Sequence, residues 1–212
     1  MIKLKSIHIL GTLSIFYVVG ILIHVLSSFK GLALKLTEPQ LLVVNIAILV
    51  WLIYLNPQKY FALWLFGAFI FSVSLEIIGV KTGHVFGNYY YGDTMNVKIL
   101  GVPLVIGLNW IILILGGYNL AKKITSGLAS ILLSGLLVVV FDFVMEPIAM
   151  ELDYWQWQGE IIPIQNYIAW FLITVILVSI MNKYKIYIDN LILRGYFIIQ
   201  FIFFLSLRLF LL

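Results

Sequence analysis

The chain has 212 residues, 63% of them hydrophobic and 10% charged, with a mean hydropathy of +1.12 and no cysteine. Those values exclude an ordinary water-soluble domain, a disulfide framework, a thiolate metal site and a cysteine nucleophile. A net charge of +4 spread thinly over so apolar a chain excludes the clustered basic face that nucleic acid requires, and leaves the lipid bilayer as the solvent of the fold.

A membrane-crossing helix needs roughly 20 apolar residues. In chain order that criterion marks spans near 7–29, 39–55, 60–79, 101–120, 126–147, 164–182 and 189–212. The expected fold is all-α, a polytopic transmembrane helical bundle of about seven spans in a single domain over 1–212. The first run is too long for a signal-peptide core and has no small-residue cleavage pattern after it, so it is read as a retained helix. Polar or charged connections follow at 30–39, 56–59, 122–125 and 182–189. Two connections differ: 80–100 and 149–163 are longer, rich in Gly, Tyr and Trp, and hold or adjoin most of the acidic residues.

With seven spans the chain ends lie on opposite sides. Lys3, Lys5, Lys59, Lys122, Lys123, Lys183, Lys185 and Arg194 then share the N-terminal side, against Lys30, Lys35, Lys81, Lys98 and Arg208 on the other. Eight against five puts the N-terminus in the cytoplasm of a multi-pass protein of the cell membrane by the positive-inside rule.

Spans one, three and five end on the side where two, four and six begin, which allows polar residues to be compared by depth. On that side fall His24, Asn45, Glu76, Asn109, Asp142, Glu146, Gln165 and Asn166, and both long aromatic loops join it. The opposite half holds little beyond Ser and Thr. The expectation is one polar pocket open toward one membrane face, beneath a lid of two aromatic loops. Ionisable groups within spans cost about 2.5 to 3.5 kcal/mol each on insertion scales and usually face a cavity or pathway.

Asp142 and Glu146 are four residues apart, so they stack on one helix face, with Pro147 closing the helix behind them. If Glu76 faces the same cavity, three acids sharing it cannot all ionise, and an acid beside a carboxylate is the equipment of general acid and base chemistry. The bland alternative puts these acids at interfacial depth, against water or loop lysines such as Lys81 and Lys98. Tyr89, Tyr90, Tyr91, Tyr154, Trp155, Trp157 and Trp170 taken alone read as an aromatic belt at the headgroups. Gly79, Gly83 and Gly87, spaced by four, read as close helix packing or turn geometry. His24 and His84 read as a bundle hydrogen-bonder and a loop residue.

The segment EIIGVKTGHVFGNYYYG from Glu76 to Gly92 resembles the integral-membrane carotenoid hydratase family of the CruF type, carotenoid biosynthesis proteins of bacteria and haloarchaea. The likeness continues through Gly101, Val102, Pro103 and Trp110, the DFVMEP of Asp142 to Pro147, the YWQW of Tyr154 to Trp157, and Pro163, Asn166 and Trp170. It covers roughly 70–175 and departs from the family pattern at Glu146, where Asp is usual, at Glu160, Ile161 and Ile162, where Tyr and Gly are usual, and at Ala169, where Gly is common.

The resemblance implies an enzyme that adds water across the terminal C=C of a linear carotenoid to give a tertiary alcohol. Such a hydro-lyase would work by acid catalysis inside the membrane, with linear carotenoid and water as partners and without metal or organic cofactor. Under it Asp142 is the proton donor, Glu76 and Glu146 hold water or tune the donor, and Trp110, Asn109, Tyr89, Tyr91, Trp155, Trp157, Asn166 and Trp170 bind substrate. Gly79, Thr82, Gly83, Gly87, Pro103 and Pro147 become structural turn residues. Other membrane enzymes of carotenoid pathways are further candidate partners, though no motif marks them.

A membrane carotenoid cyclase would use the same first protonation and then exclude water. A proton-coupled transporter would also bury carboxylates, but at the midplane and within an inverted repeat. A membrane prenyltransferase would need a second acid-rich motif, an oxygen-dependent hydroxylase more than three histidines, and an opsin a lysine in the last span.

Overall fold

The computed structural model describes residues 2–212, and the side chains of 5–26 and 28–212, so that Lys3 of the charge comparison lies outside the described side chains. Seven helices follow one another: α1 (Ile2–Val25), α2 (Lys30–Leu55), α3 (Lys59–Thr82), α4 (Leu104–Ile124), α5 (Gly127–Glu151), α6 (Ile164–Lys183) and α7 (Leu191–Leu211). All seven are long and apolar enough to cross a membrane, and the fold is a polytopic transmembrane helical bundle. Helices are the form these apolar runs take because lipid offers no partner for backbone N–H and C=O groups, which must pair within the segment.

α4 lies at the centre and is buried along most of its length, packed against α2, α3, α5 and α7; α1 runs along α7, and α6 along α5. Two short strand pairs complete the fold. β1 (Tyr89–Tyr91) pairs antiparallel with β4 (Trp155–Trp157), and β2 (Lys98–Ile99) with β3 (Val102–Pro103).

The helix bounds correct the sequence reading in two places. The stretch 30–39 is not a connection, since α2 already starts at Lys30 and carries Pro39 inside it. Nor does Pro147 close its helix: α5 runs on to Glu151. Proline removes the N–H that would bond the carbonyl four residues back. Here that carbonyl, on Phe143, accepts instead from Arg208 Nη1 of α7 at 2.8 Å, so the helix continues without an orphaned acceptor. The half of the bundle away from the lid is also less bare than expected: Asn119 is buried there and accepts from the backbone N–H of Asn190.

The proposed turn residues divide by role. Gly83 ends α3 with φ +69°, and its N–H bonds the Gly79 carbonyl at 2.8 Å. Thr82 Oγ1 donates to the Ile78 carbonyl and accepts from the His84 N–H, and Pro103 directly precedes α4. Gly87, at φ +115°, passes under Pro163 and Trp157. Gly79 is not in a turn. It lies inside α3, where a Cβ would come within 2.7 Å of the Phe86 ring and 3.2 Å of the Tyr89 hydroxyl. Its lack of a side chain lets the aromatic loop lie against the helix.

Candidate functional site

Two helices bring three carboxyl groups into one buried cluster, and a third adds an amide. Glu76 comes from the last turns of α3, Asp142 and Glu146 from one face of α5, and Asn166 from the first turn of α6 bridges the pair. Asn166 Nδ2 donates to Asp142 Oδ2 at 2.7 Å and to Glu146 Oε1 at 3.0 Å. All four residues are buried. Among the described residues none of the three acids bonds a lysine. Lys98 instead donates to the Gly92 carbonyl, and among the described residues the ion pairs involve only Glu151 and Asp189 as acids. The contacts with loop lysines that the interfacial alternative called for are therefore not made among the described residues.

The β1–β4 ribbon forms the lid, and its alternation decides what faces the acids. Side chains alternate sides along a strand, and the register places Tyr89 opposite Trp157 and Tyr91 opposite Trp155. Those four point at the cluster, while Tyr90 is exposed and Gln156 reaches back to the Met150 carbonyl. Tyr89 and Tyr91 hydroxyls both donate to Glu76 Oε2, the latter at 2.7 Å. Trp155 and Trp157 Nε1 both donate to Glu146 Oε2, at 2.9 and 2.7 Å. Burial, then the adjacent Glu76 carboxylate, hold the hydroxyl protons of Tyr89 and Tyr91 well above the ordinary phenol range, so both remain donors at any working pH. Every group found bonding a carboxylate of the cluster is thus a neutral donor: phenol, indole or amide.

Beside the acids lies a cavity of about 20 Å³, walled by Glu76, Glu146, Tyr89, Tyr91, Trp157 and Asn166 among others. A space of that size, with carboxyl and amide groups in its walls, holds one water. Asp142 is not among its walls; it stands behind Asn166, and its Oδ1 has no hydrogen-bond partner. Ile106, Trp110 and Trp155 form a common wall with a second, far larger cavity of about 620 Å³. This one is almost wholly apolar in lining and within the range of small-molecule sites. Phe16, Val19, Leu36 and Val43 line it and are also exposed on the outer surface, so it opens sideways, between α1 and α2, toward lipid. Trp110 and Trp170 stack at 3.5 Å between ring centres, and Phe86 stacks on the far face of the same group, which stiffens the partition.

Of the residues singled out in the sequence, Glu76, Asp142, Glu146, Tyr89, Tyr91, Trp110, Trp155, Trp157, Asn166 and Trp170 are gathered at or against the small cavity. Asn109 belongs to the large one, where it accepts from Asn45 Nδ2 at 3.2 Å in a chain that continues to Tyr196 and Tyr17. His24 also lines the large cavity. Gln165 stays outside both cavities and donates to the His84 carbonyl. The sequence reading missed Glu38. Buried on α2, it accepts the backbone N–H groups of Asn96 and Val97 at 2.7 and 2.9 Å and so pins the loop before α4. The signal for it is an acid beside Pro39 at the edge of an apolar run, a position that a span bounded by that proline leaves in a connection.

Residues 38–204 match the protein family described as carotenoid biosynthesis protein. Over 118 residues the chain is 32% identical to the bisanhydrobacterioruberin hydratase of Haloarcula japonica, a match covering 49% of this chain and 38% of that protein. The match therefore spans well under two thirds of the relative's length. No solved structure matches the chain.

Proposed function

We propose that this chain, which belongs to the carotenoid biosynthesis protein family, adds water across the terminal carbon–carbon double bond of a linear carotenoid to give a tertiary alcohol. The observation that carries the reading is the pairing of cavities: room for one water between two carboxyl groups, divided by two indole rings from a large apolar chamber open to lipid. The relative's name, a hydratase, supports the same reaction class.

The polyene enters from the bilayer between α1 and α2 and sets its end group against Trp110 and Trp155. Where the Ile106, Trp110 and Trp155 partition yields to the end group, a carboxyl O–H of the cluster gives its proton to the less substituted alkene carbon. The π bond breaks, a C–H bond forms, and the positive charge falls on the tertiary carbon, where indole faces stabilise it. Water from the small cavity attacks that carbon, and its surplus proton passes to the second carboxylate. The sum is alkene plus water to alcohol, and proton exchange between the carboxyl groups restores the starting state.

Glu76 and Glu146, which wall the water-sized cavity, take the reacting roles in this scheme. Asp142, first assigned as donor, becomes the proton reserve behind Asn166. A cyclase would have to keep water from the cation, whereas the small cavity beside the acids is sized to hold it.

The test is expression in cells that accumulate linear hydrocarbon carotenoids, followed by mass analysis of the pigments. Wild type should add the mass of one or two waters, and Glu146→Gln and Glu76→Gln should each lose at least about 100-fold of that conversion, the scale for removing an acid–base group. An isomer of unchanged mass would replace hydration with cyclisation, and unchanged pigment with folded protein would overturn the proposal. We also place the N-terminus in the cytoplasm, on the eight-to-five distribution of basic residues. The chain has no native cysteine, so Tyr90→Cys on the exposed side of the lid should react with a membrane-impermeant maleimide added outside intact cells. Labelling only after the membrane is opened would reverse the orientation.

A further inference from the structure

The end of the bundle away from the lid carries a charge imbalance that no part of the reaction scheme uses. Of the nine acidic residues in the chain only Asp189 lies there, whereas Lys5, Lys59, Lys183 and Lys185 share that end with a tighter group formed by Lys122, Lys123 and Arg194. That group is built from the last turn of α4 and the first turn of α7, and Asp189 ties it together. Lys123 Nζ donates to Asp189 Oδ2 at 2.6 Å and Arg194 Nη1 donates to Oδ1, so one carboxylate holds two cations, one on each oxygen. Lys122 has no acid within ion-pair distance among the described residues. Its ammonium lies 5.1 Å from the ring centre of Tyr187 and 5.9 Å from that of Tyr118.

Three cations against one carboxylate leave an excess of positive charge at a fixed place. The Arg194 side chain is only 17% exposed, and the planar fork of a guanidinium suits the paired oxygens of a phosphate. The depth of the cluster narrows the source of that phosphate. α4 and α7 both span the membrane, and the ends that carry the cluster lie where lipid headgroups begin. Tyr187 is exposed beside it, as aromatic residues of that layer are. Ile124, next to Lys123 at the end of α4, and Leu128, in the first turn of α5, are exposed as well. A free anion would use the cations and leave this apolar surface bare, whereas an anionic lipid uses both.

We propose that Lys122, Lys123 and Arg194 form a binding site for the phosphate of an anionic phospholipid, whose acyl chains lie against Ile124 and Leu128. Asp189 is the positioning residue that keeps Lys123 and Arg194 together against their mutual repulsion. The site stands at the opposite end of the bundle from the acid cluster and does not depend on the reaction assigned to that cluster.

The experiment is lipid binding by the full chain in detergent, read by native mass spectrometry as the fraction of protein carrying phosphatidylglycerol or phosphatidylcholine with the same acyl chains. Wild type should bind phosphatidylglycerol at least about tenfold more tightly, and Lys122→Gln should lower that preference about fivefold, the worth of one basic residue against anionic lipid. Lys81→Gln removes the same charge from the lid end of α3 and should leave the preference unchanged. Equal affinity of wild type for the two lipids would overturn the site. Equal losses in Lys122→Gln and Lys81→Gln would overturn it too, since the charge would then act without a location. Arg194→Gln should lower the preference at least as far as Lys122→Gln; if it fails to fold, the comparison of Lys122→Gln with Lys81→Gln decides. At matched ionic strength, inorganic phosphate should displace no more lipid than chloride does. Selective displacement by phosphate would assign the cluster to a soluble anion and overturn the lipid assignment.

Discussion

Gly79→Ala tests the idea that the lid is seated on α3 by the absence of a side chain. The added Cβ would stand 2.7 Å from Phe86 Cδ2 and 3.2 Å from the Tyr89 hydroxyl, where carbon atoms settle at about 3.5–4.0 Å. Phe86 is 1% exposed and stacked on Trp170, so it must withdraw by roughly 1 Å into an occupied core. Overpacking of this kind costs about 1–3 kcal/mol, offset by up to about 1 kcal/mol of helix propensity gained on replacing glycine.

The control is Gly67→Ala, the same change on the same helix, at a position with nothing within 4 Å. The propensity gain cancels between the two variants, leaving a difference of about 1–3 kcal/mol in favour of Gly67→Ala. For a chain of this size that is about 2–12 °C in melting temperature, readable by tryptophan fluorescence in detergent. Because Tyr89 donates to Glu76, displacement of the loop should also lower pigment conversion by about tenfold or more in Gly79→Ala and leave Gly67→Ala near wild type. If the two variants melt within a degree of each other and convert pigment equally, the close seating of the lid on α3 is irrelevant to stability and to the site.

Two further outcomes follow from groups away from the acids. Arg208→Gln should destabilise the wild-type chain by about 0.5–1.5 kcal/mol, the scale of one hydrogen bond. The loss should be smaller in a Pro147→Ala background, where the restored N–H can serve the Phe143 carbonyl; additive losses in the double-mutant cycle would refute this account of Pro147. Asp189 lies in the connection before α7, its carboxyl held below the usual range by hydrogen bonds from Lys123 and Arg194. A depressed folded value stabilises above the unfolded one, near pH 4, and that contribution vanishes as pH falls through the folded value. The melting advantage of wild type over Asp189→Asn should therefore be small at neutral pH, because the carboxylate is 41% exposed, and should shrink below about pH 4. An advantage that grows on acidification would contradict the assignment.

The seven helices were legible because apolar runs of membrane-spanning length admit few other structures, and their order decided which polar residues could share a depth. That depth argument found Glu76, Asp142, Glu146 and Asn166 without reference to any contact. It failed at prolines. Pro39 and Pro147 would limit helices in water, but within a bundle a neighbouring side chain such as Arg208 can take the carbonyl freed by Pro147. The lid was half legible. Tyr89 and Tyr91, like Trp155 and Trp157, are two apart, the period of a strand with one face inward. In a membrane chain the same residues also fit an aromatic belt, and only the β1–β4 register separates the two. The large cavity was not legible at all. It depends on how far α1 stands from α2, and no local pattern encodes that distance.

The lid and the acids explain each other. Three buried carboxyl groups without a bonded cation need donors, and water would supply them if the site were open. Here two phenols and two indoles from β1 and β4 do so for Glu76 and Glu146, and the Asn166 amide does so for Asp142. Each of the aromatic side chains satisfies a carboxylate and, with its ring, excludes bulk solvent from the space where a carbocation would form. A polar lid would meet the first need and flood the chamber; an aliphatic one would keep it dry and leave the acids unpaired. Tyr and Trp are the side chains that combine a large apolar face with a single neutral donor at the edge. On this reasoning Tyr89→Phe and Trp157→Phe remove a hydrogen bond while keeping the seal, whereas Trp155→Gln keeps a donor and breaks it. All three should lower the gain of water in the pigment mass assay, and the third should lower it most, because bulk water that enters solvates the acids and weakens the proton donor; a Trp155→Gln enzyme as active as Tyr89→Phe would refute the need for the seal.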